Sequence, residues 1–217
     1  YTLWHTLSLH DALPILPAPV EAQIVERLKT HVPQMDGVVI IDQVEERNCG
    51  VITDRVREEI SRLARKYHDV IFAADSRARI GLFRDVIITP NEREAVRALN
   101  AGDEGAVNLT MAWDAGAELF RRNQKPVFVT VGEDGALLFT EEGGVQVSAL
   151  KVEGEIDPVG AGDSVMAGIA ASLCSGADYR EAAEVGNLVA SITIQQIGTT
   201  GTASRRQVLA RHRAHRA

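Results

Sequence analysis

Four short apolar runs, each closing near a polar residue and separated from the next by stretches of helical spacing, restrict this chain to few folds. They are Gly37 to Ile41, Val70 to Ala74, Val86 to Ile88 and Val127 to Val131. A strand buried on both faces reads as a continuous run of β-branched residues, whereas a half-wet strand alternates. Around them lie amphipathic stretches, from Val20 to Val32 with Val20, Ile24, Val25 and Leu28 in phase, then Thr53 to Tyr67, Glu92 to Leu99 and Val107 to Arg122. Strands alternating with helices predict a parallel sheet covered on both faces, with right-handed crossovers.

The pattern then changes. Gly135 to Thr140 and Val145 to Ala149 are separated by little more than turns, at Glu133 and Asp134 and at Glu142 to Gly144, which predicts an antiparallel meander at the end of the sheet. Two further helices follow, one from Asp163 to Ser175 and one from Tyr179 to Gln195, both apolar enough to be buried. The fold class is α/β, mostly parallel. In such a sheet ligands gather at the carboxyl ends of the strands. Asp42, Asp75, Thr89 to Asn91 and Thr130 to Gly132 fall on that edge.

Composition narrows the functional classes. At 217 residues with 45% hydrophobic side chains, the chain can bury one sizeable core. A net charge of −7 argues against a nucleic-acid footprint, which needs a basic face. The five arginines between Arg205 and Arg216 read as a solvated terminal helix. Cys49 and Cys174 have no metal spacing and are too few for a disulfide framework, so a cytoplasmic location is expected. No apolar run approaches the roughly 20 residues of a membrane span. Residues 1–16 begin without Met, lack a secretory pattern and resemble translated sequencing-adapter read-through, so they are expected to be a non-native extension.

The stretch most rich in chemistry lies between the meander and the last helices. Gly160, Ala161 and Gly162 carry almost no side chain, so backbone N–H groups can converge on an anion, and the following helix adds its positive end. Asp163 stands at the same spot. A carboxylate beside amides suited to phosphate makes sense as the acceptor of a proton from an attacking hydroxyl. The plainer alternative is a tight turn whose Asp helps to start a helix.

Asp157 to Asp163 resembles the DTxGAGD signature of ribokinase-like (PfkB-type) carbohydrate kinases, with Pro158 where Thr is usual and Val165 where Phe is common. The resemblance implies a ribokinase-like three-layer fold, with Asp163 as catalytic base and the amides of Gly160, Ala161 and Gly162 as anion hole. It covers roughly Pro17 to Ser204. It makes 17–217 the C-terminal portion of a sugar kinase domain whose N-terminal part and β lid have no counterpart here.

Three weaker stretches occur in that family's order. Asn91 and Glu94 read by themselves as a capping box; they also resemble the N-x-x-E motif, which implies Mg2+ and phosphate contacts. Thr130, Gly132 and Gly135 read as a strand end with a glycine turn, and resemble the T-x-G-x-x-G nucleotide stretch. Asn187, beside Gly186, reads equally as a packed helix residue or as the family's Asn near adenine. The loop Ile197 to Ser204 is too rich in Gly and Thr to extend the helix, and the resemblance implies that its carbonyls, with Asp157, hold K+. The absence of a GxxxxGK[ST] loop and of an early GxGxxG argues against a Walker-type or dinucleotide site.

The resemblance implies ATP and Mg2+ as cofactors, a small sugar or sugar phosphate as partner, and compatibility with a homodimer. Two functions follow as expectations: phosphorylation of a carbohydrate hydroxyl, or a nucleotide-binding remnant without turnover. In the second case the loss of the first strands would expose a sheet edge and apolar surface.

Overall fold

A computed structural model describes residues 15–100 and 105–216; the expected extension over 1–16 lies outside them apart from Ile15 and Leu16. The strands are β1 (Gly37–Asp42), β2 (Ile71–Ser76), β3 (Ile87–Ile88), β4 (Val127–Thr130), β5 (Ala136–Thr140) and β6 (Gly143–Val147). The helices are α1 (Ala18–His31), α2 (Asp54–Lys66), α3 (Glu92–Leu99), α4 (Leu109–Asn123), α5 (Ala161–Cys174), α6 (Tyr179–Thr193) and α7 (Arg205–Arg216). The sheet runs in chain order, β1 to β6. β1 to β4 are parallel, and β5 and β6 return antiparallel.

Alternation along each strand splits the core in two. Ile40, Phe72, Ala74, Ile88, Val127 and Val129 face a cluster with Val25 of α1, Val56, Ile60 and Leu63 of α2, Val96 of α3 and Leu119 of α4. Ala73, Ile87, Phe128 and Leu138 face Val165, Met166 and Ile169 of α5 and Ala182 and Ala183 of α6. Truncating a side chain as buried as Leu63 or Ile169 to Ala would cost about 2–5 kcal/mol. α5 and α6 pack closely because a Cβ at Gly168 would stand 2.9 Å from Gly186 Cα.

Two expectations are corrected. The second meander strand is Gly143–Val147, two residues earlier than read, so both glycines lie within the strand. The reason is tertiary: Phe139 and Trp113, stacked edge to face at 5.2 Å, lie across this strand. A Cβ at Gly144 would approach them to 2.9 and 2.7 Å. The sheet is also not covered on both faces throughout. β1 is an edge strand, paired among the described residues with β2 alone, and Val39 and Ile41, on its α5-side face, are 48% and 42% exposed. The neighbouring face of α5 exposes Ala167, Ala171 and Cys174.

Candidate active site

The carboxyl edge of the parallel strands gathers most of the residues singled out above. Asn91 caps α3: its Oδ1 accepts from the Glu94 amide, and Glu94 Oε2 accepts from the Asn91 amide, both at 2.9 Å. The capping reading therefore holds. Thr130 lies alongside, bridged to Asn91, with its amide donating to the Pro90 carbonyl at 2.9 Å. The N-x-x-E and T-x-G stretches are thus one local unit.

α5 begins differently. Gly160, at φ 77°, is its N-cap and supplies no side-chain cap. A left-handed φ favours Gly, and a Cβ here would meet Thr200 Cγ2 at 2.8 Å. Helix starts leave their first amides unpaired. Among the described residues the N–H groups of Gly160, Gly162 and Asp163 have no acceptor, whereas that of Ala161 donates to Pro158 O at 3.0 Å. Within the expected Gly160 to Gly162 set the Ala161 amide thus has a local acceptor, and the open donors of this turn among the described residues are those of residues 160, 162 and 163. The helix starts at Ala161, two residues before the expected position, so Asp163 sits in its first turn. Its exposed carboxylate makes no hydrogen bond among the described residues and does not cap the helix.

A third carboxylate joins this edge. Burial pushes Asp75 up to about 6, reinforced by the negative charges of Glu94 and Asp163 and moderated by Arg77. Burial also raises Glu94. The negative charges of Glu94 and Asp163 thus act on the buried Asp75, and an edge of that sign suits a cation. Among the described residues no three His, Cys, Asp or Glu side chains converge tightly enough to hold a metal by themselves. Mg2+ does not require that, because it keeps several waters and uses one or two carboxylates with substrate phosphates. The Asp75 signal was present in the sequence as a strand-end Asp, but its neighbours lie 19 and 88 positions away.

Other expected site residues have structural partners. Gly135, at φ 94°, is buried, and a Cβ there would stand 2.2 Å from Val147 O. Asn187 is buried in α6 and its Nδ2 donates to Val147 O and Ser148 O at 2.9 and 3.1 Å, holding that same segment. Gly132, by contrast, is exposed. Asp157 accepts from Val159 N at 3.1 Å and Gly198 N at 2.9 Å, which staples the loop before α5 to the loop at 197–202. Gln196 closes the latter loop by pairing with both the amide and carbonyl of Thr202. Two grooves of about 570 and 630 Å³ open elsewhere, one around Lys125, Glu141 and Tyr179, the other around Leu150, Val185 and His212. Among the described residues, the unpaired amides of α5 and these carboxylates lie at the strand edge and line neither groove.

Comparison with known proteins gives the fold and the family. The chain is 30% identical over 183 residues to the bifunctional protein HldE of Bradyrhizobium diazoefficiens, covering 83% of this chain and 35% of that protein. The chain thus spans about a third of the length of the curated relatives it matches. Phosphofructokinase-2 from Escherichia coli in complex with potassium has a TM-score of 0.72 at 19% identity, over 93% of this chain and 64% of that one. Arabidopsis thaliana ribokinase complexed with ribose and ATP has a TM-score of 0.66 at 20% identity, over 91% and 59%. These two likenesses show the fold, which is ribokinase-like. A family model described as pfkB family carbohydrate kinase matches residues 20–206, and with that span the chain belongs to the pfkB carbohydrate kinase family.

Proposed function

We propose that this site transfers the γ-phosphoryl group of ATP to a hydroxyl of a carbohydrate or sugar phosphate. The observation that carries the reading is the start of α5, where unpaired amides and an unpaired carboxylate stand side by side. The amides of Gly160, Gly162 and Asp163 hold and orient the transferring group, whose charge grows on its equatorial oxygens. Asp163 takes the proton of the attacking hydroxyl as the new P–O bond forms. Thr130 and Gly132 flank the phosphates, with Asn91 beside them. Asp75 and Glu94 suit Mg2+ held largely through water, and when bound that ion would offset the phosphate charge. Asp157 and the carbonyls of the loop at 197–202 belong to the same proposal as a seat for K+, in keeping with the potassium named for the similar phosphofructokinase-2.

Replacing Asp163 by Asn tests the role. Turnover of a responsive sugar should fall by roughly 10²–10⁴-fold while ATP affinity changes little; near-normal turnover would refute it. A second reading is favoured by the open edge at β1: this polypeptide alone binds nucleotide without turnover. Assaying ATP-dependent phosphorylation of a sugar panel, with this chain and with a longer one carrying a further sugar-binding segment, separates the two. Equal rates remove the second reading.

A further inference from the structure

On the face of the sheet opposite Asp75 lies a buried polar group that the proposed chemistry does not use. Asp42 ends β1 and Ser76 ends β2, and the two are register partners. By alternation they share the face of Ile40 and Ala74, packed by α1 and α2, while Asp75 shares the face of Ala73, packed by α5. Ser76 Oγ donates to Asp42 Oδ2 at 2.7 Å and accepts from the Arg79 amide at 3.0 Å. The Arg79 guanidinium, about nine-tenths buried, donates to Asp42 Oδ1 at 3.2 Å, to Glu45 O at 2.6 Å and to the Val44 carbonyl. Its Nε is buried without a partner among the described residues.

Stability alone is a poor reason for such a group, because desolvation of a buried ion pair offsets most of its attraction and the unpaired Nε adds to the cost. Its effect is geometric. One rigid planar fork gathers acceptors from the end of β1 and from the loop at 43–52, and the Arg79 backbone ties both to the exit of β2. Since neighbouring strand residues point to opposite faces, pinning Ser76 behind the sheet fixes the direction of Asp75 in front of it. We propose that Arg79 is a positioning residue: through Asp42 and Ser76 it locks the β2 exit and the loop at 43–52 so that Asp75 keeps its place beside Glu94 and Asp163. The inference rests on the carboxylate reading given under Proposed function.

Arg79→Met alone would leave Asp42 buried and unpaired, so the decisive variant is Asp42→Leu with Arg79→Met, which exchanges the pair for apolar volume. Mn2+ binding, followed by electron paramagnetic resonance, is measured together with amide exchange. A lock predicts a double variant that melts near the wild-type temperature and exchanges the amides of 43–52 at least about tenfold faster. Mn2+ should bind roughly 10-fold to 100-fold more weakly, the usual cost of losing an outer support of a metal site. Exchange in the loop at 197–202 should not move. A folded double variant with wild-type exchange and affinity overturns the proposal. So does a double variant that cannot fold, since the group would then serve stability. If the wild-type protein binds no Mn2+, the carboxylate reading fails, and the exchange rates still decide the lock.

Discussion

α3 and α5 both start at the carboxyl edge of the sheet, and they start in opposite ways. At α3, Asn91 and Glu94 close the first turn reciprocally, so the helix needs no further partner there. At α5, Gly160 supplies nothing, three amides stay open and the nearest carboxylate is unengaged. α6, away from this edge, is closed like α3 by Asp178 and Glu181. A helix start without its own cap is stable where a ligand completes it, because its donors and its dipole then face the same anion. Under the proposed function, the contrast separates a helix that positions side chains from a helix whose backbone is the binding group.

Closing α5 artificially should have the largest effect. Gly160→Asp would put a carboxylate over the open amides and force a Cβ against Thr200, at a φ that L residues avoid. ATP affinity, read by calorimetry, should fall by roughly 100-fold, about 2.7 kcal/mol. An unchanged affinity would show that the triphosphate lies elsewhere.

The next effect concerns pH. Asp75 has its folded value raised from 3.8 to about 6. The folded protein therefore binds this proton more tightly than the unfolded chain, and the associated stability is complete below about 3.8 and lost as pH rises through about 6. Allowing for partial solvent exposure, the loss is about 1–2 kcal/mol. Melting in chelator between pH 4 and 7 should show this slope. Asp75→Asn should flatten it, and Mg2+ should restore stability at pH 7 in the wild-type protein only.

Opening α3 should matter least. Asn91→Ala removes one cap acceptor and should cost about 1 kcal/mol, a shift of a few degrees in Tm. If it also weakens Mn2+ binding, capping and metal roles coincide at Asn91, and the contrast with α5 becomes one of degree.

Much of this was legible in the chain. The runs at 37–41, 70–74 and 127–131 became strands within one or two residues of the expected bounds, because a double-sided burial pattern has few other outcomes. The N-x-x-E, T-x-G and GAGD stretches do lie at strand ends or helix starts. What misled was local chemistry read without its neighbours. Gly143 and Gly144 look like a turn, yet both lie within β6, where Trp113, some thirty positions earlier, leaves no room for a side chain at Gly144. Gly135 and Asn187 carry a packing constraint that no local reading shows, since each meets the end of β6 and the segment after it.

Local pattern by itself settled the alternation of strand and helix and the small-residue start of α5, because these depend on residues within one or two turns of each other, and the alternation in turn implied a parallel sheet. Tertiary structure alone decided which amides of that start are open, which carboxylates share the edge and that Arg79 reaches Asp42 across 37 positions. Those are properties of distance and burial between segments far apart in the chain. They come into being only when the sheet brings β1, β2 and α5 together and excludes the water that would otherwise separate their charges.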